Sequence, residues 1–341
     1  EFCYAFQKNG FKGTGCYAQQ FCLNRKPETK RTKNMGKRNF ELDQIPDMTG
    51  KVCIVTGGNT GIGKVSALEL AKHNAHVILA ARTPSKGQAA AEEIKAETKN
   101  DKVEFMKLDL LSLSSVMEFV KDFKAKNLPL HLLLNNAGVM ACPWALSEEG
   151  IESQFATNHL APFYLTTQLL PILEQSQPSR IVNISSLAHK SIIFNGLSLN
   201  KIQDKSSYNA RTAYARSKAC NILFTRELAQ RLEKKNVKNL YVNSCHPGVV
   251  DTEIARYATF PFKQIIDWMK INPQDGALTQ LYLSTSPEIE KKDIRGKYYV
   301  PFASEATPQS HSTSQKNQTE LWDYTEKILR EKIPGYTDAG I

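Results

Sequence analysis

From Lys51 onward, apolar residues gather in short unbroken runs, separated by stretches in which they recur every three or four positions. The runs predict strands at 51–56, 76–80, 103–108, 131–135, 180–185, 240–246 and 297–301. The periodic stretches predict helices at 61–73, 84–98, 112–126, 150–175, 212–234, 274–285 and 317–332, because such spacing places apolar positions on one helical face. Near-continuous apolar strands alternating with helices imply a parallel sheet buried on both faces. No repeat or linker interrupts the alternation, so about seven strands in a single domain are expected over residues 46–335. Residues 1–45 are basic, lack sustained periodicity and read as a disordered leader, with Met35 a candidate start.

Charge changes this picture little once it is located. The net charge of +10 suggests a nucleic-acid partner, but residues 1–40 carry nine Lys/Arg against two Glu and so account for +7 of it. The folded body is near neutral, which excludes a nucleic-acid footprint spread over it. Seven cysteines without regular spacing form no disulfide framework or zinc pattern, and Cys53, Cys220 and Cys245 fall in apolar runs. The seven histidines are scattered, and no metal is expected. No apolar run is long enough to span a bilayer, and the first residues are too polar for a signal-peptide core. A chain in the cytoplasm, or peripheral to an intracellular membrane, is expected. Sequons at Asn183 and Asn317 are weak matches, the first lying in an apolar strand.

Candidate chemistry begins where the first strand runs into "TGGNTGIGK", Thr56 to Lys64. Gly57, Gly61 and Gly63 permit a tight turn whose backbone approaches a pyrophosphate at a helix N-terminus. A dinucleotide is the ligand such a turn binds. The second strand ends "HVILAART": Ala81 stands where an NAD site normally carries an acid, and Arg82 follows. A permanently charged planar guanidinium suits a 2′-phosphate, and Lys64 could add a second positive charge. NADP(H) is therefore expected. Farther on, "YARSK" places Tyr214 and Lys218 four residues apart, on one face of a helix.

The spacing T-G-x-x-x-G-x-G resembles that of the short-chain dehydrogenase/reductase family. "NNAG" at 135–138, Asn158 in "TNHLAPF", Ser186 at the end of "RIVNISS", the Tyr214/Lys218 pair and "HPGVVDT" at 246–252 match that family's later motifs in order, over roughly residues 48–300. The resemblance implies a Rossmann-type doubly wound parallel sheet. It also implies cofactor contacts from Gly57, Asn59, Thr60, Gly61, Ile62, Gly63, Arg82, Asp109, Leu110, Asn136, Ala137, Gly138, Tyr214, Lys218, Pro247, Gly248, Val250 and Thr252. Ser186, Tyr214, Lys218 and Asn158 take the catalytic roles. A free phenol has a pKa of about 10, and a neighbouring ammonium together with oxidised nicotinamide favours its phenolate. Ser186 would hydrogen-bond the substrate oxygen, Tyr214 would protonate it, and Asn158 would hold a water. Strand alternation sends Ser185 and Ser186 to opposite sides, and the family pattern favours the second.

The 28 positions from Ser186 to Tyr214, opening "SSLAH", resemble the retinol dehydrogenase-like branch. An apolar aldehyde or ketone, interconverted with its alcohol, is the substrate implied. Met140, Trp144, His189, Phe194 and Phe260 are candidate substrate walls, although ordinary packing accounts for them equally well. The branch often carries an N-terminal membrane anchor, which this sequence does not show. Helices at 150–175 and 212–234 form dimer faces in the family, making a homodimer compatible with the sequence. The alternative is a catalytically silent dinucleotide-binding regulator, for which the intact acid/base pair would have no use.

Overall fold

The computed structural model describes residues 38–192, 197–250 and 270–341. The seven expected strands form as β1 (Val52–Thr56), β2 (His76–Ala81), β3 (Val103–Lys107), β4 (Leu132–Asn135), β5 (Ser179–Ile184), β6 (Leu240–Cys245) and β7 (Tyr298–Val300). An eighth strand, β8 (Ser304–Ala306), returns antiparallel to β7. The sheet order is β3-β2-β1-β4-β5-β6-β7-β8, and every pair but the last is parallel. The count of seven is thus one short. Ser304–Ala306 shows no apolar alternation, and it pairs because Phe302 and Ala303 adopt positive φ values of 64° and 57° that reverse the chain.

Helices cover both faces. On one side lie α1 (Gly61–Lys72), α2 (Pro84–Thr98) and a later helix, Pro273–Thr285. Their buried Leu70, Ile94 and Leu281 share a core with Cys53, Val55 and Leu79 of the sheet. On the other side lie α3 (Leu113–Ala125), α4 and α5 (Ala210–Lys234). Here α4 denotes a continuous rod made of Ser153–Phe155, a π-helical turn Ala156–Leu160, and Ala161–Gln175. In chain order, Pro273–Thr285 is α6, Glu288–Lys291 is α7 and Gln315–Lys332 is α8.

The last helix, α8, seals the seam between α4 and α5. Its Trp322 is buried edge-on against Phe163, with centroids 4.8 Å apart, and lies 6.0 Å from Phe224. The Arg231 guanidinium stacks 4.2 Å above the indole, and His159 Nε2 meets Thr325 Oγ1 at 3.0 Å. The two helices associated with dimer formation therefore carry a cover from their own chain along this seam.

The boundary of the leader at residue 45 is too late. Phe40 and Ile45 are buried, and Phe40 packs edge-on against Tyr282 of α6 at 5.5 Å. Arg38 donates to Asp275 at 2.8 Å and stacks over Phe302. Single apolar residues among charges carry no period, which hid this segment from pattern reading. Residues 1–37, and with them the rest of the expected leader, lie outside the described residues. The sequon asparagine Asn183 is buried inside the sheet, accepting from Asn135 Nδ2 at 2.8 Å and donating to Thr225 Oγ1 at 2.9 Å.

Candidate active site

The strand order reverses between β1 and β4, and a crevice at such a reversal is where open α/β sheets bind ligands. β1 delivers the glycine turn to this point. Gly57 and Gly61 have φ values of 65° and 56°, a region costly for residues with a Cβ. The N-cap of α1, Thr60, makes no side-chain capping bond, so the helix meets the crevice without a side chain occupying its first amides. The turn is braced from β4. Thr56 Oγ1 accepts from Asn136 N and Ala137 N at 2.9 and 3.0 Å, while Asn136 Nδ2 donates to Thr56 O at 2.8 Å. These residues fit a dinucleotide pyrophosphate, the ligand the spacing implies.

That bracing leaves no space at Gly63. A Cβ there would lie 2.4 Å from both Asn136 Nδ2 and Gly57 O. Overpacking typically costs about 1–3 kcal/mol, and here the turn and the end of β4 must separate to absorb it. Gly63→Ala is expected to weaken dinucleotide binding by about 5- to 150-fold. Fluorescence titration with NADPH checks this, and an unchanged Kd would refute the role of the packing.

Helix α5 starts on a well-made cap: Asn209 Oδ1 accepts from Arg211 N and Thr212 N. Tyr214 and Lys218 follow one turn apart, both buried, with Lys218 Nζ 5.8 Å from the centroid of the Tyr214 ring. Lys218 Nζ donates to Ile184 O at the end of β5, at 3.0 Å. Ser186, two residues on, is extended (φ −154°), and its side chain acts to lower the pKa of the Tyr214 phenol. Ser185 turns the other way and donates to the Lys218 carbonyl at 2.7 Å. Asn158 sits in the π-helical turn, a distortion frequent at functional sites. Its Oδ1 accepts from Val139 N at 2.8 Å, and its Nδ2 donates to Val139 O and Ser217 Oγ at 2.9 Å. Gly138 closes the group, since a Cβ there would approach Asn158 Oδ1 and Lys218 Nζ at 3.1 and 3.2 Å.

Burial dominates the electrostatics. It pushes the Tyr214 phenol up to about 12, against the opposing effect of the Ser186 side chain. The expected lowering of this pKa by Lys218 is not produced in the protein alone, where burial sets the direction. Burial also draws the Lys218 ammonium down from 10.5 to about 8. Between those two values the unfolded chain binds more protons at this residue than the folded chain. The contribution of this residue to stability should therefore rise with pH from 8 to 10.5, and its full penalty holds below 8. Lys218→Met removes it, and Ile184 O keeps its bond from Asn221 Nδ2 at 2.9 Å. The variant is expected to be more stable at pH 7 by roughly 1–3 kcal/mol, and its advantage over the parent should shrink at pH 9.5, where the parent's penalty is partly lifted. Urea titrations at pH 7 and 9.5 test both; a less stable variant would contradict the argument.

The remaining residues are placed unevenly. Arg82 is exposed just beyond β2, whereas Lys64 is drawn away into an ion pair with Glu93 at 2.6 Å. Asp109 Oδ1 accepts from Leu111 N at 3.0 Å, and Leu110 is buried. Asn59 and Ile62 are half-buried on the turn. Pro247 and Gly248 follow β6; Gly248 has φ 98°, and Val250 bridges to Ile271. Met140 and Trp144 lie half-buried after β4, where Trp144 meets Tyr208 edge-on at 5.1 Å. His189 does not line an open wall. It is fully buried, because the 3-10 turn Leu187–Ser191 folds its ring back under Ser186. Phe194, Thr252 and Phe260 lie outside the described residues.

Two contributors escaped sequence reading. Thr56 opens the glycine motif and locks it to β4. Gln280 of α6 is fully buried and donates to Ser66 Oγ at 2.7 Å, tying α6 to α1 behind the turn. A glutamine between the apolar residues Leu278 and Leu281 of α6 was the available signal.

Fold and site together define a Rossmann-type oxidoreductase. The chain belongs to the short-chain dehydrogenase/reductase family, in its retinol dehydrogenase-like branch. The short chain dehydrogenase family model matches residues 51–198. Retinol dehydrogenase 11 of Mus musculus is 45% identical over 249 residues, 72% of this chain and 76% of that protein. An uncharacterised protein from Mycobacterium paratuberculosis has a crystal structure that superposes with a TM-score of 0.68 at 30% identity, covering 85% of this chain and 97% of that one. A short chain dehydrogenase from Escherichia coli, solved with NADPH, gives a TM-score of 0.57 at 25% identity over 76% and 98%.

Proposed function

We propose that the protein is an NADP(H)-dependent oxidoreductase that interconverts an apolar aldehyde or ketone and its alcohol, with Tyr214 as the acid/base. The observation that carries this reading is the convergence of the buried Tyr214–Lys218 pair and Ser186 at the ends of β5 and α5. The NADPH-bound Escherichia coli relative supports the choice of dinucleotide. The bound cofactor supplies or accepts the hydride. The first amides of α1 hold the pyrophosphate, Arg82 the 2′-phosphate and Lys218 the nicotinamide ribose hydroxyls. Asn59, Ile62, Asp109, Leu110, Asn136 to Gly138, Pro247, Gly248, Val250 and Thr252 complete the cradle.

In the reducing direction Ser186 donates to the carbonyl oxygen while Tyr214 gives it a proton. A phenol pushed up to about 12 is fully protonated at neutral pH, the state this step requires. Asn158 fixes the Val139 backbone beside Lys218 and orders the water through which the proton is replaced. Apolar walls from Met140 and Trp144, with Leu187 still 42% exposed next to Ser186, favour a hydrophobic substrate. Among the described residues no helix is long and apolar enough to cross a membrane, and we place the enzyme in the cytoplasm or peripheral to an intracellular membrane. The test is NADPH oxidation against a panel of apolar aldehydes, ketones and retinal, with the matching alcohols and NADP+ in reverse. Tight NADPH binding without turnover of any member would overturn the reading.

A further inference from the structure

Ser186 is held by more than its strand. Its carbonyl accepts two bonds from one residue, from His189 N at 3.1 Å and from the ring Nδ1 at 2.7 Å. Its hydroxyl also accepts from Ala188 N at 3.2 Å. A carbonyl can only accept, so His189 carries its proton on Nδ1 and leaves Nε2 as a bare acceptor. That Nε2 is buried without a partner among the described residues. The ring lies edge-on to Tyr298 of β7, with centroids 5.2 Å apart, and the Tyr298 hydroxyl is likewise buried and unpartnered. One orphan is an acceptor and the other a donor. Buried polar groups seldom stay unpaired, and these two lie on rings in edge contact with no hydrogen bond between them. The turn is pinned from outside as well, since His311 Nε2 donates to His189 O at 3.0 Å.

We propose that His189 is a positioning residue: its Nδ1–H fixes the Ser186 backbone so that the serine hydroxyl meets the substrate oxygen. The inference rests on the reading of Ser186 as the hydroxyl that meets the substrate. It assigns the "SSLAH" histidine, which does not touch substrate, to the same chemistry. A small misplacement of a group acting on the reacting atoms can cost about 100-fold in rate, which sets the scale.

The experiment compares His189→Asn, whose side-chain amide reaches the Nδ1 position, with His189→Gln, whose amide reaches the Nε2 position. For the most reactive carbonyl of the panel, Asn is expected to keep kcat within about threefold. Gln should lose about 10- to 100-fold, with KM for NADPH unchanged in both. Equal losses, or a loss confined to KM, would overturn the proposal. A second arm needs no turnover: in 15N-histidine-labelled parent protein, the ring signal absent from His189→Asn identifies His189. It should show the Nδ1–H tautomer. An Nε2–H tautomer overturns the support. A parent inert towards every carbonyl overturns the catalytic reading of Ser186, and this proposal with it. An active parent in which Asn and Gln behave alike faults the support only.

Discussion

Tyr214→Phe is expected to lower kcat for carbonyl reduction by about 100- to 10,000-fold, the usual loss when a general acid is removed. The binding of NADPH should barely change. The ring stays in place, so its packing and the contact with Lys218 Nζ at 5.8 Å survive. Only the proton carrier is lost, and among the described residues no other group is set to replace it. The Ser186 hydroxyl has no acidity near neutrality, and the Lys218 ammonium is held on Ile184 O. Single-turnover rates with NADPH and a reactive aldehyde, alongside fluorescence titration of NADPH, separate chemistry from binding. A variant keeping more than about a tenth of parental kcat would remove Tyr214 from the mechanism.

Arg82→Ala should weaken NADPH binding by about 10- to 150-fold while leaving NADH binding nearly unaltered. A hydrogen bond to a charged group contributes about 1.5–3 kcal/mol, and the two dinucleotides differ only in the phosphate Arg82 is proposed to meet. The guanidinium is exposed in the protein alone, so it pays little to turn towards a ligand. Lys64 does not offer an equal second charge, because Glu93 already holds it at 2.6 Å. Comparing kcat/KM for the two cofactors in parent and variant decides the matter. Equal use of both by the parent, or equal losses in the variant, would refute the choice of NADP(H).

The legible parts of this protein are those where backbone geometry dictates residue type. Gly57 and Gly61 must adopt positive φ, and Gly63 has no room for a methyl group, so the turn is written in the chain as glycines. The Tyr214–Lys218 pair reads directly because helical spacing is fixed. Asn158 was reached only through family resemblance, since the π-helical turn that aims it depends on Val139 and Ser217 from elsewhere. The loop bearing Met140 and Trp144 was illegible in shape for the same reason. Its path is set by Gln154 Oε1 on Ala141 N and by the Tyr208 hydroxyl on Cys142 O. His189 shows the limit most plainly. Its position after the strand suggested a wall facing substrate, and a single turn of 3-10 helix put the ring beneath the serine instead.

The cover that α8 lays over the α4–α5 seam also bears on how the chain is made. Synthesis proceeds from the N-terminus, and early portions begin to fold while later ones are still being added. The β1–β6 strands and their helices can assemble once Cys245 has emerged. Phe163 and Phe224 still lack Trp322 at that stage, and the aromatic seam stays open to water until residues 315–332 leave the ribosome. A ribosome paused before Gln315 would thus display a nearly finished sheet bearing one hydrophobic strip, which a chaperone can grip and a neighbouring nascent chain can foul.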